Sequence, residues 1–139
     1  MKKYNLVMVF NKEEDKVLMC FRSKDPYKGL YNLVGGKIDK DEDHLESAYR
    51  ELFEETNISK MDINLKPLMD FKWHPIDMEM YVYVGVLKHK VRLVDEVHKL
   101  YWVSLDENFF DMSKYAGEGN IGHMMEIYNQ VKDKLKQTS

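Results

Sequence analysis

The chain has 139 residues, of which 44% are hydrophobic and 32% are charged, so it is long enough to bury a core and ordinary in composition for a globular protein. Its net charge of −3 excludes the strongly basic class of nucleic-acid binders. No apolar run approaches the length of a membrane span, and the N-terminus lacks the apolar segment of a signal peptide. The single cysteine, Cys20, lies in an apolar run, which predicts a buried core residue and a cytoplasmic protein.

The first third of the chain predicts strands separated by polar turns. Residues 4–10 and 17–21 are apolar and form strands that we expect to pair in antiparallel fashion across the turn between them. A loop at 25–29 leads into a short apolar strand at 30–34. That strand runs into Gly35-Gly36, and we expect a turn at this glycine pair.

A helix follows the glycines. Asp43, with Glu46 three residues later, predicts an N-cap and a partial capping box. Asn57 follows the helix at a position that favours positive φ, which Asn tolerates. The predicted apolar stripe at helical spacing comprises Leu45, Ala48, Tyr49, Leu52, Phe53 and Thr56.

The rest of the chain predicts three more strands and a second helix. Residues 63–73, with an irregularity at Pro67, and 80–87 are expected to form a hairpin. A strand at 97–103 and a C-terminal helix at about 121–135 complete the pattern. Strands interspersed with two helices predict an α+β fold.

One face of the first helix is densely acidic. Glu51, Glu54 and Glu55 are spaced i, i+3 and i+4, where like charges oppose helix formation. Residues 39–55 hold eight acids and two bases, and the remainder of the chain is therefore net positive. Such a face is either a solvated surface or a site for a hard cation such as Mg²⁺, which takes oxygen ligands.

The full spacing around this helix resembles the Nudix box. The matching positions are Gly36, Glu42, Arg50-Glu51-Leu52, Glu54-Glu55 and Ile58. The family has Gly where this chain has Asn57, a departure that removes no ligand. The resemblance implies a single domain over residues 1–139 with a mixed β-sheet sandwiched between helices.

The resemblance also implies the residues of a catalytic site. It assigns the metal, Mg²⁺ with Mn²⁺ as the alternative, to the Gly35 carbonyl, Glu51, Glu54 and Glu55. The general base is left open between Glu51, Glu54 and Glu96. Arg50 is expected to orient Glu42 or Glu54.

For the activity, the resemblance implies hydrolysis of a nucleoside diphosphate linked to another moiety. The first expectation is a MutT-like enzyme that converts a nucleoside triphosphate, ordinary or oxidised, to the monophosphate and pyrophosphate. The alternatives are a nucleotide-sugar or dinucleoside polyphosphate pyrophosphatase and a non-catalytic nucleotide sensor. A nucleotide is the expected partner, with neither nucleic acid nor membrane, and family members are often homodimers.

Several residues are candidates for contacts with the substrate. Arg22 is either a solvated strand-end residue or a clamp for phosphate oxygens. The glycine-rich segment 115–123 is either a flexible loop or a loop that faces the substrate. The candidates for base recognition, some of which could instead only pack, are Asn32, Phe71, Trp73, Glu118, Asn120 and His123.

Overall fold

The computed structural model describes residues 1–95 and 97–137 and has the expected α+β architecture. Its elements are β1 (Lys2–Phe10), β2 (Lys16–Phe21), β3 (Tyr31–Asn32), β4 (Val34–Lys37), α1 (His44–Thr56), β5 (Lys66–Trp73), β6 (Met78–Val86), β7 (Lys99–Ser104) and α2 (Asn120–Gln137). A 3₁₀ turn at His74–Ile76 joins β5 to β6. The hairpin expected between these two strands is therefore present.

The seven strands form one mixed sheet, as the resemblance implied. β1 lies parallel to β6 along its whole length and antiparallel to β2 and β4. β5 extends the sheet beyond β6, and β3 and β7 pair with β2 in antiparallel fashion. The ladder of β5 is irregular between Pro67 and Met69, where the sequence predicts an interruption because proline donates no hydrogen bond.

The core lies on both faces of the sheet. Along β1, Val7 and Val9 belong to the cluster beneath α1, while Met8 and Phe10 belong to the cluster beneath α2. This alternation follows from the two-residue period of a strand. Neither helix of the described chain is long and apolar enough to cross a membrane.

The glycine pair differs from expectation, because Gly35 and Gly36 continue β4 instead of turning. They pair with Leu6 and Asn5 of β1. Gly35 has φ +153°, and a Cβ there would lie 2.1 Å from the Asn5 carbonyl oxygen. The glycines are required for close approach between chain segments, and the prediction of a turn was wrong.

Helix α1 begins and ends as predicted but faces the core differently. The Asp43 side chain caps it by accepting from the Glu46 N–H at 3.0 Å, and Asn57 ends it with φ 70°. Phe53, expected on the apolar stripe, is 52% exposed, whereas Glu55 is only 9% exposed. Glu55 is turned inward because its carboxylate bonds to the sheet.

Candidate active site

The buried Glu55 carboxylate joins α1 to Gly35 of strand β4. Its Oε2 accepts a hydrogen bond from the Gly35 N–H at 3.1 Å. Burial, followed by the charge of Glu51, raises the pKa of Glu55 to about 7 despite the lowering effect of this hydrogen bond. A buried carboxylate with a raised pKa in a cleft marks Glu55 as a candidate functional residue.

Gly36 makes the space that Glu51 occupies. A Cβ at residue 36 would lie 2.5 Å from the carboxyl carbon and from one oxygen of Glu51. Burial raises the pKa of Glu51, whereas the Arg50 charge lowers it. Two carboxylates of α1 therefore lie against strand β4, with Glu55 at Gly35 and Glu51 at Gly36.

Arg50 links the acids of α1 to the preceding loop. Its Nε and Nη2 donate to the two Glu42 oxygens at 2.7 and 3.0 Å, in the bidentate geometry typical of guanidinium and carboxylate. Nη1 lies 3.1 Å from Glu51 Oε1 and donates to Glu54 Oε2 at 3.2 Å. Arg50 thus contacts three carboxylates, among them Glu42 and Glu54, which it is predicted to orient.

The predicted metal ligands are neighbours but are not gathered around one point. Within residues 1–95 and 97–137, no three acidic, histidine or cysteine side chains are close enough together to hold an ion. Glu54 is drawn to Arg50, and its side chain is 56% exposed. The oxygen donors fit a hard divalent cation in chemistry, since carboxylates are the usual protein ligands of Mg²⁺, and Glu54 would have to turn away from Arg50 to join them.

A buried asparagine fixes these parts together. Asn5 of β1 is 1% exposed; its Nδ2 donates to Ser47 Oγ of α1 at 2.9 Å and its Oδ1 accepts from the Gly36 N–H at 3.2 Å. Neither Asn5 nor Ser47 stood out in the sequence. The only local signal is a polar residue at the start of an otherwise apolar strand.

A cleft of about 250 Å³ opens beside Glu55 and the glycines. Five of the seven residues expected to contact the substrate line it, although they come from distant parts of the chain: Arg22, Asn32, Phe71, Trp73 and Asn120. The end of the cleft near Glu55 is polar, whereas the β5–β6 hairpin makes the other end apolar. Glu118 lies at the rim, and His123 is exposed and packs on Phe110 outside the cleft.

A hydrogen bond between two loops closes part of the rim. Tyr27 Oη donates to Glu118 Oε2 at 2.7 Å, although 91 residues separate the two. Glu118 has φ 51° between two glycines that also have positive φ, so this loop holds a conformation that few residues adopt. The nearby Trp73 indole N–H is shielded from solvent and lies beside the Tyr27 hydroxyl, without a well-formed hydrogen bond to any acceptor in the described part of the chain.

Two basic side chains line the cleft with Glu55. Arg22 Nε donates to the Pro26 carbonyl at 3.0 Å, and His98 Nε2 lies 3.9 Å from Glu55 Oε1. Burial, and then the charges of Arg22 and Lys24, lower the pKa of His98. His98 did not stand out in the sequence, because only its position relative to β2 brings it into the cleft.

Two further expectations concern Cys20 and Glu96. Cys20 lines the cleft but is only 4% exposed, as predicted for a core residue. Burial, and then the Glu55 charge, raise the pKa of its thiol to about 12, which does not suit a nucleophile. Glu96, the third candidate for the base, lies outside the described residues.

Comparison with known proteins identifies the family to which this chain belongs. The model of the NUDIX domain family matches residues 2–123. An RNA pyrophosphohydrolase from Pelagibacter ubique (strain HTCC1062) is 40% identical over 57 residues, which cover 41% of this chain and 35% of that protein. The chain therefore matches about a third of the length of this curated relative.

Solved structures agree on the fold. A MutT/nudix family protein from Enterococcus faecalis is 25% identical with a TM-score of 0.60, covering 73% of this chain and 42% of that one. An Ap4A hydrolase from C. elegans is 16% identical with a TM-score of 0.74, covering 96% and 99%. Since the family model spans most of the chain, including strand β4 and the acidic helix, this chain belongs to the Nudix family.

Proposed function

We propose that the chain is a Mg²⁺-dependent pyrophosphohydrolase that converts a nucleoside triphosphate to the monophosphate and pyrophosphate. The observation that carries this proposal is the seating of the Glu51 and Glu55 carboxylates on Gly36 and Gly35 at the polar end of a cleft. A carboxylate cluster at the edge of a cleft is a binding site for a cation that in turn binds phosphates.

The glutamates of α1 are assigned to the metal. Glu51, Glu54, Glu55 and the Gly35 carbonyl would hold it, with Mn²⁺ as the alternative ion. When bound, the ion supplies charge neutralisation on the phosphates and an activated water. A carboxylate takes the proton of that water, and Glu51, Glu54 and Glu96 remain the candidates for this base.

The cleft divides the substrate between its two ends. Arg22 has guanidinium N–H groups that make no hydrogen bond in residues 1–95 and 97–137, and they are available for phosphate oxygens at the polar end. The apolar end presents the rings of Phe71 and Trp73 to a flat base. Asn32 Oδ1 accepts a hydrogen bond from the Leu33 N–H, which leaves the N–H groups of the Asn32 side-chain amide as donors for the substrate.

A panel of nucleotides tests the proposal. Purified protein with Mg²⁺ is assayed for pyrophosphate and phosphate release from ordinary and 8-oxo purine triphosphates, ADP-ribose and a dinucleoside polyphosphate. Pyrophosphate from the triphosphates is the expected result. If only ADP-ribose or the dinucleoside polyphosphate is hydrolysed, the assignment of the metal site stands but the proposed substrate class is wrong. Tight nucleotide binding without hydrolysis would indicate a nucleotide sensor.

A short 5′-triphosphorylated RNA belongs in the same panel. The relative named RNA pyrophosphohydrolase motivates it, through a 57-residue match. The net charge of −3 argues against RNA, since backbone phosphates are bound by basic surfaces. We therefore expect free nucleotides to be preferred. A cytoplasmic location, a single domain and a homodimer remain predictions.

A further inference from the structure

His98 is placed beside Arg22 by the pairing of two strands that are distant in sequence. β2 and β7 are antiparallel with Cys20 opposite Leu100 and Phe21 opposite Lys99. One step beyond this last pair, Arg22 and His98 are neighbours. They emerge on the face of Cys20 and Leu100, which is the face that α1 covers.

The contacts of His98 leave its imidazole available for a ligand. Its side chain is 26% exposed and lines the cleft with Arg22 and Glu55. The 3.9 Å between its Nε2 and Glu55 Oε1 is too long for a hydrogen bond. Within residues 1–95 and 97–137, no hydrogen bond to either ring nitrogen is found, so the ring is held by packing.

We propose that His98 binds a non-bridging phosphate oxygen of the substrate, together with Arg22, in the cleft beside Glu55. This inference rests on the proposed function and extends it to a residue that neither the Nudix spacing nor the acidic helix indicates. The His98 ring N–H, just before β7, and the Arg22 guanidinium, just after β2, can donate to the same anion beside the carboxylates assigned to the metal.

Binding of a non-hydrolysable substrate analogue gives a direct readout. An α,β-methylene nucleoside triphosphate is titrated with Mg²⁺ into the wild type and into His98→Ala, His98→Gln and His123→Ala. We expect His98→Ala to weaken binding about tenfold, because a hydrogen bond to a charged group is lost. His98→Gln should recover most of the loss, since its amide reaches the same region. His123→Ala, outside the cleft, should bind like the wild type.

Two measurements separate this role from a metal ligand and from a structural role. Mn²⁺ binding without nucleotide, followed by electron paramagnetic resonance, should be the same in His98→Ala and the wild type, whereas a metal ligand would weaken it. The effects of His98→Ala and Arg22→Met on binding of the analogue should be non-additive, because both side chains contact one group.

The outcomes are distinct for this inference and for the proposed function. If the wild type neither binds nor hydrolyses any nucleotide, the proposed function fails and this inference fails with it. If the wild type binds the analogue and His98→Ala binds it equally well, only the inference is overturned. Loss of Mn²⁺ affinity, or equal losses in His98→Ala and His98→Gln, would also overturn it.

Discussion

Arg50 and Glu42 form a bidentate pair, with Nε and Nη2 donating to the two carboxylate oxygens at 2.7 and 3.0 Å. Glu42 belongs to the loop after β4, whereas Arg50 is in the second turn of α1. The pair therefore ties that loop to the helix that carries the candidate metal ligands. Arg50 in turn reaches Glu51 and Glu54, so the orientation of both depends on the position of its guanidinium.

The Glu42–Arg50 pair should make stability depend on acid pH. Hydrogen bonds from Arg50 lower the pKa of Glu42 to about 2, from an ordinary value of 4.5. The pair stabilises the fold fully above pH 4.5, and this contribution is lost as the pH falls from 4.5 towards 2. We expect Glu42→Gln to lower the free energy of unfolding at pH 7 by about 1–3 kcal/mol.

Glu46→Gln is the matched control for Glu42→Gln. Glu46 also pairs with a cation, Lys60, at 2.6 Å, but both side chains are more than half exposed. Its loss should cost less than about 1 kcal/mol at pH 7. Urea titrations at pH 7 and pH 3 check both variants, and equal destabilisation by the two would contradict the assignment.

Gly36→Ala should displace Glu51. The added Cβ would enter the volume of the Glu51 carboxyl group, 2.5 Å from its carbon. We expect kcat to fall about tenfold or more, whereas stability should change little because only the flexible end of the Glu51 side chain has to move. Gly29→Ala provides the contrast, since nothing lies within 4 Å of its Cβ and its φ of +82° strains only the loop. It should lower the melting temperature and keep kcat.

Glu54→Gln should separate catalysis from folding. Glu54 is exposed on α1 and its pairing with Arg50 is at the surface, so the melting temperature should change little. If it is a metal ligand or the base, kcat at saturating Mg²⁺ should fall about tenfold or more. Unchanged turnover, measured beside Glu46→Gln on the same helix, would remove Glu54 from the site.

Cys20 should resist alkylation in the folded protein. Burial and the Glu55 charge raise the pKa of its thiol to about 12, so almost none of it is thiolate at pH 8. Iodoacetamide at pH 8, followed by mass spectrometry, should label the protein in urea and leave the native protein unlabelled. Rapid labelling of the native protein would mean that the cleft wall opens readily.

The sequence predicted helix α1 and some of the residues that line the cleft. Asp43 and Asn57 marked the ends of α1 because capping is a matter of a few neighbouring residues. Five of the seven substrate candidates, which come from separate loops and strands, line one cleft, whereas Glu118 and His123 are not among its lining residues. The assignment of roles to these residues stays a prediction.

Contacts between segments that are distant in the chain could not be predicted from the sequence. Local sequence rules predict a turn at the glycine pair. Strand β4 needs glycine at these positions because a Cβ would collide with the Asn5 carbonyl and the Glu51 carboxyl group. Phe53 is exposed and Glu55 is buried, the reverse of what the apolar stripe predicted, and the buried Glu55 carboxylate accepts a hydrogen bond from Gly35, 20 residues away. His98 required the register of β2 and β7 before it could be placed.

The Asn5 side chain joins β1, β4 and α1 through two hydrogen bonds in a site that excludes water. Changing Asn5 alone would leave the Gly36 N–H without its side-chain acceptor and the Ser47 oxygen without its donor, whereas changing Ser47 alone would leave one Asn5 amide N–H without an acceptor. Among relatives of this chain, the residues at positions 5 and 47 should therefore change as a pair, and an alignment deep enough to detect covariation should find them coupled.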